Sequence, residues 1–166
     1  MRTFKLFFAK RRLSSAKDLW VFVFDVDGVL TDGCFYYSAA GKVMKRFGPH
    51  DSEAAAILAT RFEIRFISAD RRGFEITKKR ISDMGFDVEL VKAEERVSFI
   101  NAIKDSERRV LFVADSPSDI PALRAADLSA CPRNVFPFVS SSVDLVLDVD
   151  CGKGVIAALL QLLDGK

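Results

Sequence analysis

Short apolar runs rich in Val, Phe and Ile recur at residues 19–24, 64–67, 88–91, 110–113 and 145–147, and segments with helical spacing lie between them. A strand that is apolar at every position has to be buried on both faces. The alternation therefore predicts a mainly parallel sheet covered by helices on each side, an α/β Rossmann-like three-layer sandwich. The helices are expected at 52–60 with Asp51 as cap, 72–84 ending at Gly85, 94–104, 117–126 with Pro117 in the first turn, and 155–163 after the turn at Gly152 and Gly154. One segment breaks the pattern. Residues 34–37 and 42–47 flank Ser38-Ala39-Ala40-Gly41, which predicts a β-hairpin flap just after the first strand, where a crossover helix would otherwise stand. Ligands bind at the carboxyl ends of strands in such sheets, so the flap is a candidate for function as well as packing.

Residues 19–166 are read as one domain, with no internal repeat or linker. Residues 1–18 are read as a basic N-terminal extension carrying Arg2, Lys5, Lys10, Arg11 and Arg12. Its main charge cluster follows its short apolar patch, the reverse of a signal peptide, and no apolar run reaches the roughly 18 residues needed to cross a bilayer. With 25 basic and 23 acidic side chains, the formal charge of +2 gives no support to a nucleic-acid or membrane-surface function. Cys34, Cys131 and Cys151 are odd in number and far apart, which reads as reduced thiols in a cytoplasmic protein. His50 is the single histidine, so a His/Cys zinc site or a Ser-His-Asp triad has little to draw on.

Carboxylates are the abundant reactive groups, and they sit where chemistry is expected. Asp25, Asp27 and Asp32 come directly off the first apolar strand, and Asp115 and Asp119 follow the run ending at Ala114. In a parallel sheet both clusters project from one edge and can converge on a Mg²⁺ held by oxygen. One such aspartate alone could be a helix cap; two clusters, each after a buried strand, point to a metal site.

The run Asp25-Val26-Asp27-Gly28-Val29-Leu30-Thr31-Asp32-Gly33 resembles motif one of the haloacid dehalogenase superfamily of phosphatases. The chain from about Leu19 to Leu163 resembles its small capless branch, typified by 3-deoxy-D-manno-octulosonate 8-phosphate phosphatase. The resemblance implies Asp25 as nucleophile and Asp27 as general acid and base. It places Ser68 and Ala69 beside the phosphoryl oxygens and Arg96 where the family carries a cationic Lys or Arg. Mg²⁺ would be held by Asp25, the backbone carbonyl of Asp27 and Asp115, with Asp119 direct or through water. The implied reaction is hydrolysis of a small sugar or sugar-acid phosphate through an aspartyl phosphate, in surface-polysaccharide precursor synthesis. A non-catalytic scaffolding or regulatory relative is the alternative, and a phosphomutase a weaker third, since no insertion is long enough to cap the site.

Departures cluster at the mouth of the site. Ser68-Ala69-Asp70 stands where the branch has Thr-Gly-Arg, and Arg96 replaces a Lys. His50 reads as a loop residue before a helix, with substrate contact as the other reading. Arg71 and Arg72 either meet an acidic sugar or solvate a helix start. Lys92 is a rival to Arg96, and Lys153 reads as a solvated turn. The hairpin carries Phe35, Tyr36, Tyr37, Val43 and Met44, and a two-stranded hairpin is marginal alone. Since such hairpins join subunits in the branch that the chain resembles, a homotetramer is expected.

Overall fold

A computed structural model describes residues 19–164; the expected N-terminal extension lies outside the described residues. Strand β1 (Trp20–Asp25) is buried at every position and lies in the middle of a six-stranded sheet. To one side stand β4 (Glu63–Ser68) and β5 (Val88–Leu90), to the other β6 (Arg109–Val113), β7 (Leu128–Cys131) and β8 (Leu145–Val146), in the order β5-β4-β1-β6-β7-β8. Every pairing in this sheet is parallel. The chain first builds outward through β4 and then crosses back to β6, so the switch point falls beside β1. A crevice opens there at the carboxyl edge.

Alternate residues of β1 serve opposite layers. Trp20, Phe22 and Phe24 enter a core closed by Ala54, Ala55 and Leu58 of α1 (His50–Ala59), Ile81 of α2 (Phe74–Asp83) and Val155, Ile156 and Leu159 of α6 (Val155–Asp164). Val21 and Val23 enter a second core with Ile100 and Ile103 of α3 (Arg96–Lys104) and Ala122 and Leu123 of α4 (Ile120–Ala125). Burying each of these large side chains contributes about 1.5–3 kcal/mol, which explains why the central strand tolerates no polar residue before Asp25. Among the described residues, no helix is long and apolar enough to cross a membrane.

The flap is an antiparallel pair, β2 (Thr31–Ser38) with β3 (Gly41–Phe47), separate from the main sheet. It is longer than expected on its first arm, because the turn after β1 closes at once: Val26 O accepts from the amides of Leu30 and Thr31. Three further details differ from the sequence reading. β7 was not expected, because Leu-Ser-Ala-Cys lacks the β-branched run that marks the other strands. A short helix α5 (Pro137–Ser140) precedes β8. Asp51 does not cap its own helix, which starts at His50 with no side-chain cap; its carboxylate accepts the Ile156 amide at 2.7 Å, at the start of α6. The partial positive charge of that second helix end attracts the carboxylate.

Candidate active site

Asp25 ends β1 and is buried at the crevice. Its Oδ1 accepts the Val26 amide at 2.9 Å, and the guanidinium of Arg96 grips both its oxygens, Nη2 on Oδ1 and Nη1 on Oδ2, each at 2.9 Å. Nη1 of Arg96 also donates to Oδ1 of Asp119. Arg96 is the first residue of α3, while Asp119 lies in a 3-10 turn after β6, so side chains from three elements meet in one buried knot. Asp115, just past β6, completes it: Asp25, Asp115 and Asp119 each bring an oxygen within 4.8 Å of the others.

This close approach depends on Gly28. It adopts φ +80°, and a Cβ there would lie 2.0 Å from Oδ2 of Asp115. A side chain at 28 would push Asp115 out of the cluster.

Three carboxylates face one guanidinium, leaving an excess of negative charge in a dry setting. Burial pushes Asp25 up to about 7, opposed by the Arg96 charge and reinforced by Asp119. Burial and the Asp119 charge push Asp115 up to about 7 as well. Burial also raises Asp119, against the pull of Arg96. Burial works against the charged form of Arg96, but the carboxylates of Asp25 and Asp119 more than reverse this. Oδ2 of Asp119 is buried without a hydrogen bond. A hard dication bound by oxygens would relieve the charge excess and this idle acceptor together, so the donor set fits Mg²⁺.

A second cluster lies on the flap side of the cleft. Oδ2 of Asp27 accepts the Ser68 hydroxyl at 2.8 Å, and Ser68 Oγ in turn accepts the Asp70 amide at 3.1 Å. Oδ1 of Asp27 lies 2.7 Å from the ammonium of Lys45, which also meets Thr77 Oγ1 at 2.7 Å and Asp70 Oδ2 at 2.8 Å. Lys42 reaches the same Asp70 oxygen at 2.5 Å, its ammonium 3.4 Å from the Phe35 ring centroid. Burial alone would raise Asp70, but the two lysines bring it down to about 2.

The cleft between the clusters holds about 480 Å³ and is lined by Asp25, Asp27, Ala69, Arg96, Asp115 and Asp119, with the flap above. Ser68 lies buried beneath it, joined to Asp27. Two expected contacts are not brought here. His50 is exposed at the start of α1, with Gly154 beside it, because α1 faces α6 and leads away from the cleft. Arg71 is exposed outside the lining, and its neighbour Arg72 lines the cleft instead. Arg96 was read as a cation for phosphate and is found on the carboxylates of Asp25 and Asp119. Lys92 pairs with Glu95 at 3.3 Å, both half exposed, and Lys153 is exposed.

Lys42, Lys45 and Asp70 escaped the sequence reading. Residues three apart in a regular strand face opposite sides, so 42 and 45 should not both point inward. The register explains why they do: Tyr36 pairs with Met44 but Tyr37 pairs with Lys42, leaving Val43 as an extra, bulged residue. Lys42 and Lys45 thereby share the inner side, with Phe35 and Tyr37 lining the cleft and Val43 and Met44 exposed.

No protein-family model matches the chain. A 3-deoxy-D-manno-octulosonate 8-phosphate phosphatase of Haemophilus influenzae is 28% identical over 143 residues, covering 84% of this chain and 79% of the relative. A solved structure of the cobalt-bound deoxy-D-mannose-octulosonate 8-phosphate phosphatase from the same organism superposes with a TM-score of 0.75 at 27% identity, over 89% of this chain and 87% of that one. Over most of its length the chain is similar to phosphatases of the haloacid dehalogenase superfamily. The similarity is to its branch of 3-deoxy-octulosonate 8-phosphate phosphatases. The Moraxella catarrhalis member, solved with a magnesium ion, a phosphate ion and a 3-deoxy-octulosonate molecule, has the same fold, with a TM-score of 0.77 at 19% identity over 93% of this chain and 90% of that one.

Proposed function

We propose that this chain hydrolyses the phosphate ester of a small sugar acid of the 3-deoxy-octulosonate 8-phosphate type, through an aspartyl phosphate on Asp25. Its similarity to that branch supports a phosphoric monoester hydrolase with a divalent cation as cofactor. The observation that carries it is the convergence of Asp25, Asp115 and Asp119 at the switch point of the sheet, beside Asp27. Besides Arg96, the cleft is lined by Lys42 and Arg72, a basic character that favours an acidic leaving group.

In this reading a carboxylate oxygen of Asp25 attacks phosphorus, and Asp27 gives its proton to the departing sugar oxygen. Asp27 then takes a proton from a water molecule that attacks the same phosphorus, freeing phosphate and restoring Asp25. Asp25, Asp115, the carbonyl of Asp27 and Asp119 would hold the Mg²⁺, whose chemistry is to neutralise charge between carboxylate and phosphate. Arg96 keeps Asp25 aimed into the cleft and has its guanidinium at the place where phosphoryl oxygens arrive.

Residues 19–166 act as one catalytic domain here, in the cytoplasm and in surface-polysaccharide precursor synthesis. The exposed outer side chains Tyr36, Val43 and Met44 of the flap support a homotetramer joined through the hairpins.

Phosphate release from a panel of sugar and sugar-acid phosphates, with and without Mg²⁺, tests this reading. Turnover should be highest on an eight-carbon keto-acid phosphate and vanish on chelation. A preference for neutral sugar phosphates would overturn the substrate class, and full activity after metal removal would overturn the cation's role.

A further inference from the structure

β3 carries one residue that its position on the flap does not explain. The flap stands outside the main sheet and its strands are largely exposed, yet the side chain of Lys45 is wholly buried. Lysine is almost never fully buried unless paired, and removing an ammonium from water costs several kcal/mol even after relaxation. If seating the flap were its only task, an apolar residue of similar volume would serve as well or better. Three oxygens surround the Lys45 ammonium: Thr77 Oγ1 on α2 accepts a hydrogen bond from it, while Asp70 Oδ2 in the β4–α2 loop and Asp27 Oδ1 at the end of β1 lie at ion-pair distance, 2.8 and 2.7 Å.

We propose that Lys45 is a positioning residue that aims Asp27 at the leaving oxygen, so that the flap helps build the proton-transfer site as well as covering it. The proposal rests on the reading of Asp27 as general acid and base. Both oxygens of Asp27 are held from outside the cleft, Oδ2 by the Ser68 hydroxyl and Oδ1 by Lys45. Because Ser68 Oγ accepts the Asp70 amide, its own proton is directed to Asp27. Together these contacts fix the plane of the carboxylate. Asp70 plays a second part: at 2.8 Å it keeps the ammonium paired when a proton moves on or off Asp27. Lys42 cannot substitute, since it is occupied by Asp70 and the Phe35 ring.

A general acid matters in proportion to how poor the leaving group is. A sugar alkoxide needs a proton as it departs, whereas p-nitrophenolate leaves without one. The experiment measures kcat/KM, which reads the first phosphoryl transfer, on a sugar phosphate and on p-nitrophenyl phosphate. Lys45→Met should lower the sugar-phosphate value by about 100-fold and the aryl value by less than about 5-fold, the same split in kind as Asp27→Asn. A parallel fall on both substrates would show a merely structural lysine and overturn the proposal, provided Asp27→Asn shows the split. If Asp27→Asn shows no split, the acid reading falls and the proposal falls with it. Should Lys45→Met not fold, Lys45→Gln keeps a polar group toward Asp70 and Thr77 and should show the split in weaker form. Independently of activity, a crystal structure of the variant should show the Asp27 carboxylate turned away from Ser68; an unmoved carboxylate would overturn the proposal.

Discussion

The cluster around Asp25 and the cluster around Asp70 line one cleft, yet the first sets three carboxylates against one guanidinium and the second sets Asp27 and Asp70 against two ammonium groups. The difference appears in the acidities. Asp25 and Asp115 are pushed up to about 7, while Asp70 is held at about 2. The flap side is complete as a set of protein charges. The β1–β6 side keeps an excess of negative charge, which a dication would balance.

The comparison breaks most visibly at Asp25. Asp25→Asn should cut phosphate release by at least about 10³-fold with the fold intact by circular dichroism, as losing a nucleophile does elsewhere. A folded variant with wild-type turnover would remove Asp25 from that role. Next in size is Arg96→Met, which leaves the clustered carboxylates of Asp25, Asp115 and Asp119 without their protein counter-charge. Urea denaturation at pH 8 without metal should show a loss of about 3–5 kcal/mol, and Mg²⁺ should restore part of it.

Smaller, but sharper, is the pH dependence of the metal-free protein. Asp25 and Asp115 have folded pKa values near 7 against 3.8 for the unbound carboxyl, so their contribution is present below pH 4 and lost as pH rises toward 7. Asp70 runs the other way: its contribution is present above pH 4 and lost as pH falls toward 2. Thermal melts should therefore decline from pH 4 to 7 without metal, and Mg²⁺ at 100 times its Kd should recover about 2.7 kcal/mol at neutral pH. A metal-free melt that is flat across this range would mean the two clusters do not differ as described. The smallest effect on stability belongs to the outer face of the flap. Met44→Asp should change folding stability by no more than about 0.5 kcal/mol, while light scattering reports a shift toward monomer.

What was legible in the chain follows the same division. Asp25, Asp27, Asp115 and Asp119 could be found because each follows an apolar run whose burial is dictated by composition alone, and strand ends of a parallel sheet share an edge. Lys42 and Lys45 could not, because their common side depends on the bulge at Val43, which no local pattern announces. Arg72 in place of Arg71 is a one-residue phase in a loop, beyond the reach of periodicity. β7 was missed for the opposite reason: its burial comes from neighbours on both sides, not from its own residue types. His50 was drawn to the site by its chemistry, and the packing of α1 on α6 takes it elsewhere.

The bond from Ile156 to Asp51 also bears on when this molecule becomes whole during synthesis. Asp51 leaves the ribosome about a hundred residues before the amide that it accepts. Until then its carboxylate has no helix end to face, and Ala54, Ala55 and Leu58 lack the covering supplied by Val155, Ile156 and Leu159. Strand β1 likewise waits for β6 on its second flank. A nascent chain halted before residue 155 thus exposes an apolar helix face next to an unpaired acid, a form for chaperones to hold. Helix α6 closes α1, and that packing forms only after translation has passed α6.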